Sequence, residues 1–157
     1  NLEGIAVAEL PHLHAAPVTA LAFDATGTQL ATASADGFIK IWRAGADFAL
    51  VHQTEMAAHT GAVTTLAFTP GGRTLASGGV DRNIVLWDPV TGQERLTLNG
   101  HADRLLRVQF TNEGRSLISV SRDGAVKRWR ADPRPAAPPA PPRLPFFPGP
   151  PPRPKKP

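Results

Sequence analysis

His59, Ser77 and Asp81 are three side chains of the types that cooperate in acyl transfer. A Ser nucleophile, a His base and an orienting Asp form a hydrolase triad when geometry and roles are right, whatever their order in the chain. Here the His and the Asp are not unique. His14, Asp36 and Trp42 recur as His59, Asp81 and Trp87, and again as His101, Asp123 and Trp129. In each set the Asp follows the His by 22 residues and the Trp follows the Asp by 6. An enzyme does not need one triad three times in a chain, so the repetition favours a structural role over catalysis. The remaining His residues suggest no other chemistry. His12 with His14, and His52 with His59, lack a matching carboxylate or Cys cluster, so no metal is expected. No Gly-rich loop matches a phosphate-cradling motif, so no nucleotide or other cofactor is expected.

The elements that must position these residues follow the same period, which is 45 and then 42 residues. Each block holds runs rich in β-branched and apolar residues, separated by turn chemistry. The first runs are 18–23, 63–68 and 105–110, each ending at a turn built around Gly27, Gly72 or Gly114. The second are 29–33, 74–78 and 116–120. A tight turn at each repeated Asp leads into the third runs, 38–42, 83–87 and 125–129. A weaker fourth run precedes each His, at 5–10, 48–53 and 94–98. No stretch of helical period competes. Four-stranded antiparallel units repeating at about 40–45 residues predict an all-β fold made of β-propeller blades.

Composition divides the chain unevenly. Residues 1–132 carry 12 Lys and Arg against 13 Asp and Glu, whereas 133–157 carry five basic residues and no acid. The basicity belongs to the tail. A nucleic-acid footprint would instead cluster on a folded face, so nucleic acid is not an expected partner. With no Cys, there can be no disulfide or thiolate metal site. No apolar run approaches the roughly 20 residues of a membrane helix, and the start has no secretory pattern. A cytoplasmic, membrane-free protein is the expectation.

The recurring Gly-His start, intact in Gly100-His101, with the turn Asp and the closing Trp, resembles the WD-repeat β-propeller family over residues 5–130. Departures are few. Leu13 and Ala58 replace the Gly before the His, and only Trp87-Asp88 keeps the name-giving dipeptide. The resemblance implies that each His, Asp and Trp joins a strand hydroxyl in a buried hydrogen-bonded tetrad. The matching hydroxyls lie four residues before each Asp, at Thr32, Ser77 and Ser119. The chemistry suits that role: a neutral His can donate to the Asp and accept from the hydroxyl, while an indole N–H only donates. Blades are expected at about 5–47, 48–92 and 93–132.

Three blades do not close a ring, since propellers typically have four to eight. The outer-type run 5–10 comes first and none follows Trp129, so the strand set is permuted by one. Two completions are open. A second copy could accept that leading strand on its third blade, which would give a two-fold six-bladed ring. Otherwise the missing blades lie elsewhere, on a partner or a longer chain, and that is the completion we favour. Block three also departs from the others. Arg107, Gln109 and Arg128 occupy positions held by Ala20 and Thr65, Ala22 and Ala67, and Ile41 and Leu86. A terminal blade facing solvent or a partner would carry such residues.

The resemblance further implies that the narrow face reads peptides through the third and fifth residues after each His and the residue before each Asp. These are Pro17, Thr19 and Ala35; Ala62, Thr64 and Val80; and Arg104, Leu106 and Arg122. The third set fits a partner offering an acidic and an apolar group. In the tail, 13 of 25 residues are Pro, which predicts a polyproline II rod or linker. Pro138, Pro141 and Arg143, and likewise Pro148, Pro151 and Arg153, match the PxxPxR pattern read by proline-binding domains. The functional expectation is a non-catalytic interaction scaffold with a docking tail. The alternative is a regulatory or sensing segment of a larger multidomain protein, which could be an enzyme with its catalytic part elsewhere.

Overall fold

The computed structural model describes residues 13–44, 50–111 and 113–130. They form eleven antiparallel strands and, among the described residues, no helix. Strands β1 (Val18–Phe23), β2 (Gln29–Ser34), β3 (Phe38–Ala44) and β4 (Leu50–Ala57) make the first sheet in that spatial order. Strands β5 (Val63–Phe68), β6 (Leu75–Gly79), β7 (Ile84–Trp87) and β8 (Glu94–Leu98) make the second. Strands β9 (Leu105–Phe110), β10 (Ser116–Ser121) and β11 (Val126–Arg130) make the third. The run 5–10, the tail and both of its PxxPxR motifs lie outside the described residues.

The first two sheets each take three strands from one sequence block and the outer strand from the next, and the third has three described strands. Chain order and pairing order coincide within every sheet because each turn is short and each strand pairs with its successor. Strand β4 continues four residues past the expected end at 53, while the expected start at 48 lies outside the described residues. The extension has a physical cause. Met56 turns into the core between the first two sheets, and Glu55 pairs with Lys40 on β3 at 2.8 Å. The Ala58 and His59 amides then donate to the Gly37 carbonyl and end the strand.

The core lies between sheets. Alternation along a strand sends successive side chains to opposite faces, so blade two packs on a neighbour through each face. Blade one turns Ala31, Ala33, Ile39 and Ile41 onto Leu66, Leu75 and Trp87 of blade two. Blade two turns Ala76 and Ile84 onto Leu105, Val108 and Leu117 of blade three. Gly78 belongs to the second contact. A Cβ there would sit 2.8 Å from the Leu105 Cβ, so only Gly permits this approach. These packed meanders are a partial β-propeller.

Candidate functional site

The repeated residues converge at the same place in every blade: the loop before the inner strand meets the turn between the second and third strands. In blade two the His59 imidazole lies 2.9 Å from the Asp81 carboxylate through Nδ1 and 2.7 Å from the Ser77 hydroxyl through Nε2. The Trp87 indole donates to the same hydroxyl at 2.9 Å. With Nδ1–H donating to Asp81, Nε2 accepts from Ser77, whose oxygen remains free to receive the indole proton. All four side chains are satisfied. Ser77 is fully buried, and its hydroxyl has no open approach for a substrate carbonyl.

Blades one and three build the same group more loosely. His14 Nε2 and the Trp42 indole both lie 2.9 Å from the Thr32 hydroxyl, but His14 Nδ1 is 3.5 Å from Asp36. His101 Nε2 lies 2.7 Å from Ser119, which accepts from the Trp129 indole at 2.8 Å. The buried Nδ1 of His101 has no partner. One residue separates the tight blade from the loose ones. Gly79 stands where Ser34 and Ser121 stand in the others, and a Cβ on Gly79 would fall 2.7 Å from His59 Nδ1 and 2.8 Å from the Asp81 carboxylate. The serines fill that space and bond elsewhere, Ser34 to the Ala16 carbonyl and Ser121 to the Asp103 carbonyl.

Each Asp also staples its loop. Asp36 accepts the Ala15 and Phe38 amides, Asp81 those of Thr60 and Asn83, and Asp123 those of Ala102 and Ala125. Burial pushes the Asp36 carboxyl up, but the Phe38 amide, the Ser34 hydroxyl, His14 and the Ala15 amide together hold it below the usual range. The Ala125 amide is the main cause holding Asp123 down. His101 titrates below the ordinary His value, first because it is buried and then because the Lys127 charge is near, with Asp123 opposing. The unfolded chain therefore binds the His101 proton more readily than the folded one. Stability from this group is complete above a pH of about 6.5 and is lost as the pH falls toward the lower folded value. Thermal unfolding midpoints should fall from pH 7 to pH 5, and less so in His101→Asn.

Asp88, the acid of the name-giving dipeptide, works at the opposite end of the blade. It caps the turn through the Val90 and Thr91 amides and pairs with Arg95 at 2.6 Å. The Arg95 bond is the foremost cause of its lowered pKa.

The residues expected on the narrow face divide into two kinds. In every blade the third residue after the His and the one before the Asp are joined by a backbone hydrogen bond. Ala35 bonds Pro17, Val80 bonds Ala62, and Arg122 bonds Arg104, each at 3.0 Å. The first two pairs carry small or apolar side chains. The third sets two exposed arginines side by side along the backbone, and among the described residues neither is in an ion pair. Thr19 and Thr64 have another occupation. Thr64 donates to Gly78 on its own blade and to the Leu105 carbonyl of the next blade at 2.6 Å. Thr19 does the same toward Ala33 and Val63. These hydroxyls clasp neighbouring blades and are not free for a partner. Leu106 takes that position in blade three, where it is exposed.

Sequence reasoning missed these clasps, the Gly79 clearance, and Thr65, whose hydroxyl accepts the Val108 amide between blades at 3.1 Å. Recurrence marks which positions matter but not what lies across a blade interface. Among the described residues no cluster of His, Cys, Asp or Glu could hold a metal ion. No helix among them is long and apolar enough to cross a membrane.

Three repeated sheets in propeller order, each with a His, hydroxyl, Asp and Trp group at one end, define a WD-type β-propeller segment. The WD domain, G-beta repeat family matches residues 7–43, 50–88 and 92–130, and the chain belongs to that family. Human Coronin-7 is 34% identical over 128 residues, which covers 77% of this chain and 14% of that protein. Mouse Coronin-7 is 38% identical over 52 residues. The chain thus spans about a seventh of the human relative's length. Among solved structures, U3-55K superposes with a TM-score of 0.68 at 24% identity, covering 74% of this chain and 37% of that one. The RRP9 WD40 repeats superpose at 0.66 with 25% identity, covering 74% and 36%. WD40 repeats are generally protein-protein interaction modules and typically non-catalytic.

Proposed function

We propose that this chain is a non-catalytic scaffold that docks a protein partner on the loop face of its third blade. The observation that carries this reading is the backbone-bonded pair Arg104 and Arg122, exposed and without a carboxylate partner among the described residues, with exposed Leu106 on β9 just after Arg104. Two guanidinium groups held by one backbone bond suit a carboxylate, and Leu106 suits an apolar neighbour of that acid. The tetrads have a separate task, which is to hold the loops that present this face. The proline-rich tail is a second docking arm, read through Arg143 and Arg153 by a proline-binding domain.

Binding of labelled peptides carrying one acidic and one apolar residue, followed by anisotropy, tests the face. Arg104→Glu with Arg122→Glu should weaken binding tenfold or more, or about 1.4 kcal/mol per tenfold. Arg73→Glu, at a turn on the opposite end of blade two, should leave it unchanged. Equal losses in both variants would reduce the effect to general charge and remove the assignment.

A second reading has its own support. Because the chain matches only 14% of the length of human Coronin-7, a regulatory or sensing role within a larger multidomain protein is the alternative.

A further inference from the structure

The residues that lead into the His differ between blades. They are His12-Leu13 and Ala57-Ala58 in the first two, and Asn99-Gly100 in the third, the one Asn-Gly pair in the sequence. Both residues of that pair are exposed and lie in the link between β8 and His101. Gly100 is held at φ +148°, a conformation that residues with a side chain rarely adopt. Among the described residues no hydrogen bond engages the Gly100 amide or the Asn99 side chain.

An open Asn-Gly pair reacts without an enzyme. The Gly100 nitrogen, on giving up its proton, attacks Cγ of the Asn99 side chain. The new N–Cγ bond closes a succinimide ring, and the Cγ–Nδ2 bond breaks to release ammonia, which carries the proton away. Water then opens the ring at either carbonyl. One opening leaves aspartate, and the other leaves isoaspartate, whose main chain runs through the former side chain. No oxidant, reductant or cofactor enters the balance. Glycine favours the attack because no Cβ crowds the nitrogen. Asn83 is the internal contrast. Its amide donates to the Asp81 carboxylate at 3.2 Å, its carbonyl accepts the Gly79 amide at 3.3 Å, and the fully buried Ile84 follows it.

We propose that Asn99 is a site of spontaneous deamidation and that its isoaspartate product loosens the tetrad of blade three. Isoaspartate adds one atom to the main chain between two anchored residues. Leu98 is paired with Ile84 on one side, and His101 is held by Ser119 at 2.7 Å on the other. Gly100 between them has little room, since Lys127 bonds its carbonyl and Trp129 lies 3.4 Å from where its Cβ would stand. The extra atom must therefore displace one anchor. The His101 side yields, because its imidazole is held only through Nε2 while the buried Nδ1 has no partner. The reaction also places a new carboxylate beside the Lys127 ammonium, which draws that group away from the Gly100 carbonyl.

The test is the intact chain kept in warm, mildly alkaline buffer and sampled over time for peptide mapping by mass spectrometry. A synthetic peptide of residues 95–103 is kept alongside as the unprotected reference. Asn99 in the chain should convert at nearly the rate of the peptide, and about tenfold or more faster than Asn83, which the fold protects. The deamidated fraction, separated by its extra negative charge, should unfold a few degrees lower. Its Ala102 amide, which bonds Asp123, should exchange hydrogen faster. Asn99→Gln, whose longer side chain closes a ring far more slowly, should abolish all of these changes. An Asn99 that survives in the chain while the peptide converts would overturn the site. A deamidated chain that unfolds and exchanges like fresh protein would overturn its link to the tetrad.

Discussion

Ser77→Ala should lower the unfolding midpoint by about 10 °C without altering any hydrolytic rate. Ser77 is the hub of the tightest tetrad, touched by both His59 and Trp87 and sealed from solvent. Its loss strands a buried indole N–H and a buried imidazole nitrogen at about 1–3 kcal/mol each. A loss of that size corresponds to roughly 10 °C or more for a domain of this length. Ser77→Thr separates the hydroxyl from the residue. Thr32 fills the equivalent place in blade one with both bonds made at 2.9 Å, so Thr should restore most of the stability. A nucleophile would behave differently, with turnover collapsing while the melting curve stayed in place. That outcome would return His59, Ser77 and Asp81 to the reading as a catalytic triad.

The second large effect separates two positions that look alike along the chain. Ile84→Ala should cost about 3 kcal/mol, because an Ile wholly enclosed between blades two and three leaves a cavity when truncated. Val126→Ala, at the same place in the next blade, should stay within about 0.5 kcal/mol because that side chain is already in water. Urea unfolding of the two variants, compared at equal slope, measures the contrast. Comparable losses would mean that the flank of blade three is covered in the isolated chain, and the open arc would be wrong.

The blades were legible because two independent periods agreed. The long repeat set the unit, and short apolar runs between Gly and Asp turns set the strands within it. The outer strand of the first sheet was the least legible. Residues 54–57 look like a connecting loop until Met56 and Glu55 are seen to find partners on sheet one and its interface. The tetrad side chains were marked by spacing, but spacing says nothing of how tightly each closes. That depends on Gly79 against Ser34 and Ser121, a position outside the repeated His, hydroxyl, Asp and Trp set. Thr19 and Thr64 were marked for the wrong kind of reason. Their offset from the His placed them on a partner-reading face, whereas their hydroxyls reach across to the next blade. A contact between blades joins residues more than 40 positions apart, and no local pattern announces it.

These three blades form an open arc with Leu21 exposed on one outer flank and Val126 on the other. The solution mass of the whole chain, by light scattering after size exclusion over a range of concentrations, tests it most directly. An open arc gives the mass of a single chain, 16.7 kDa, with no discrete ring. A stable dimer of fixed mass that Leu21→Asp dissolves would contradict it, because the exposed flanks would then be covering one another.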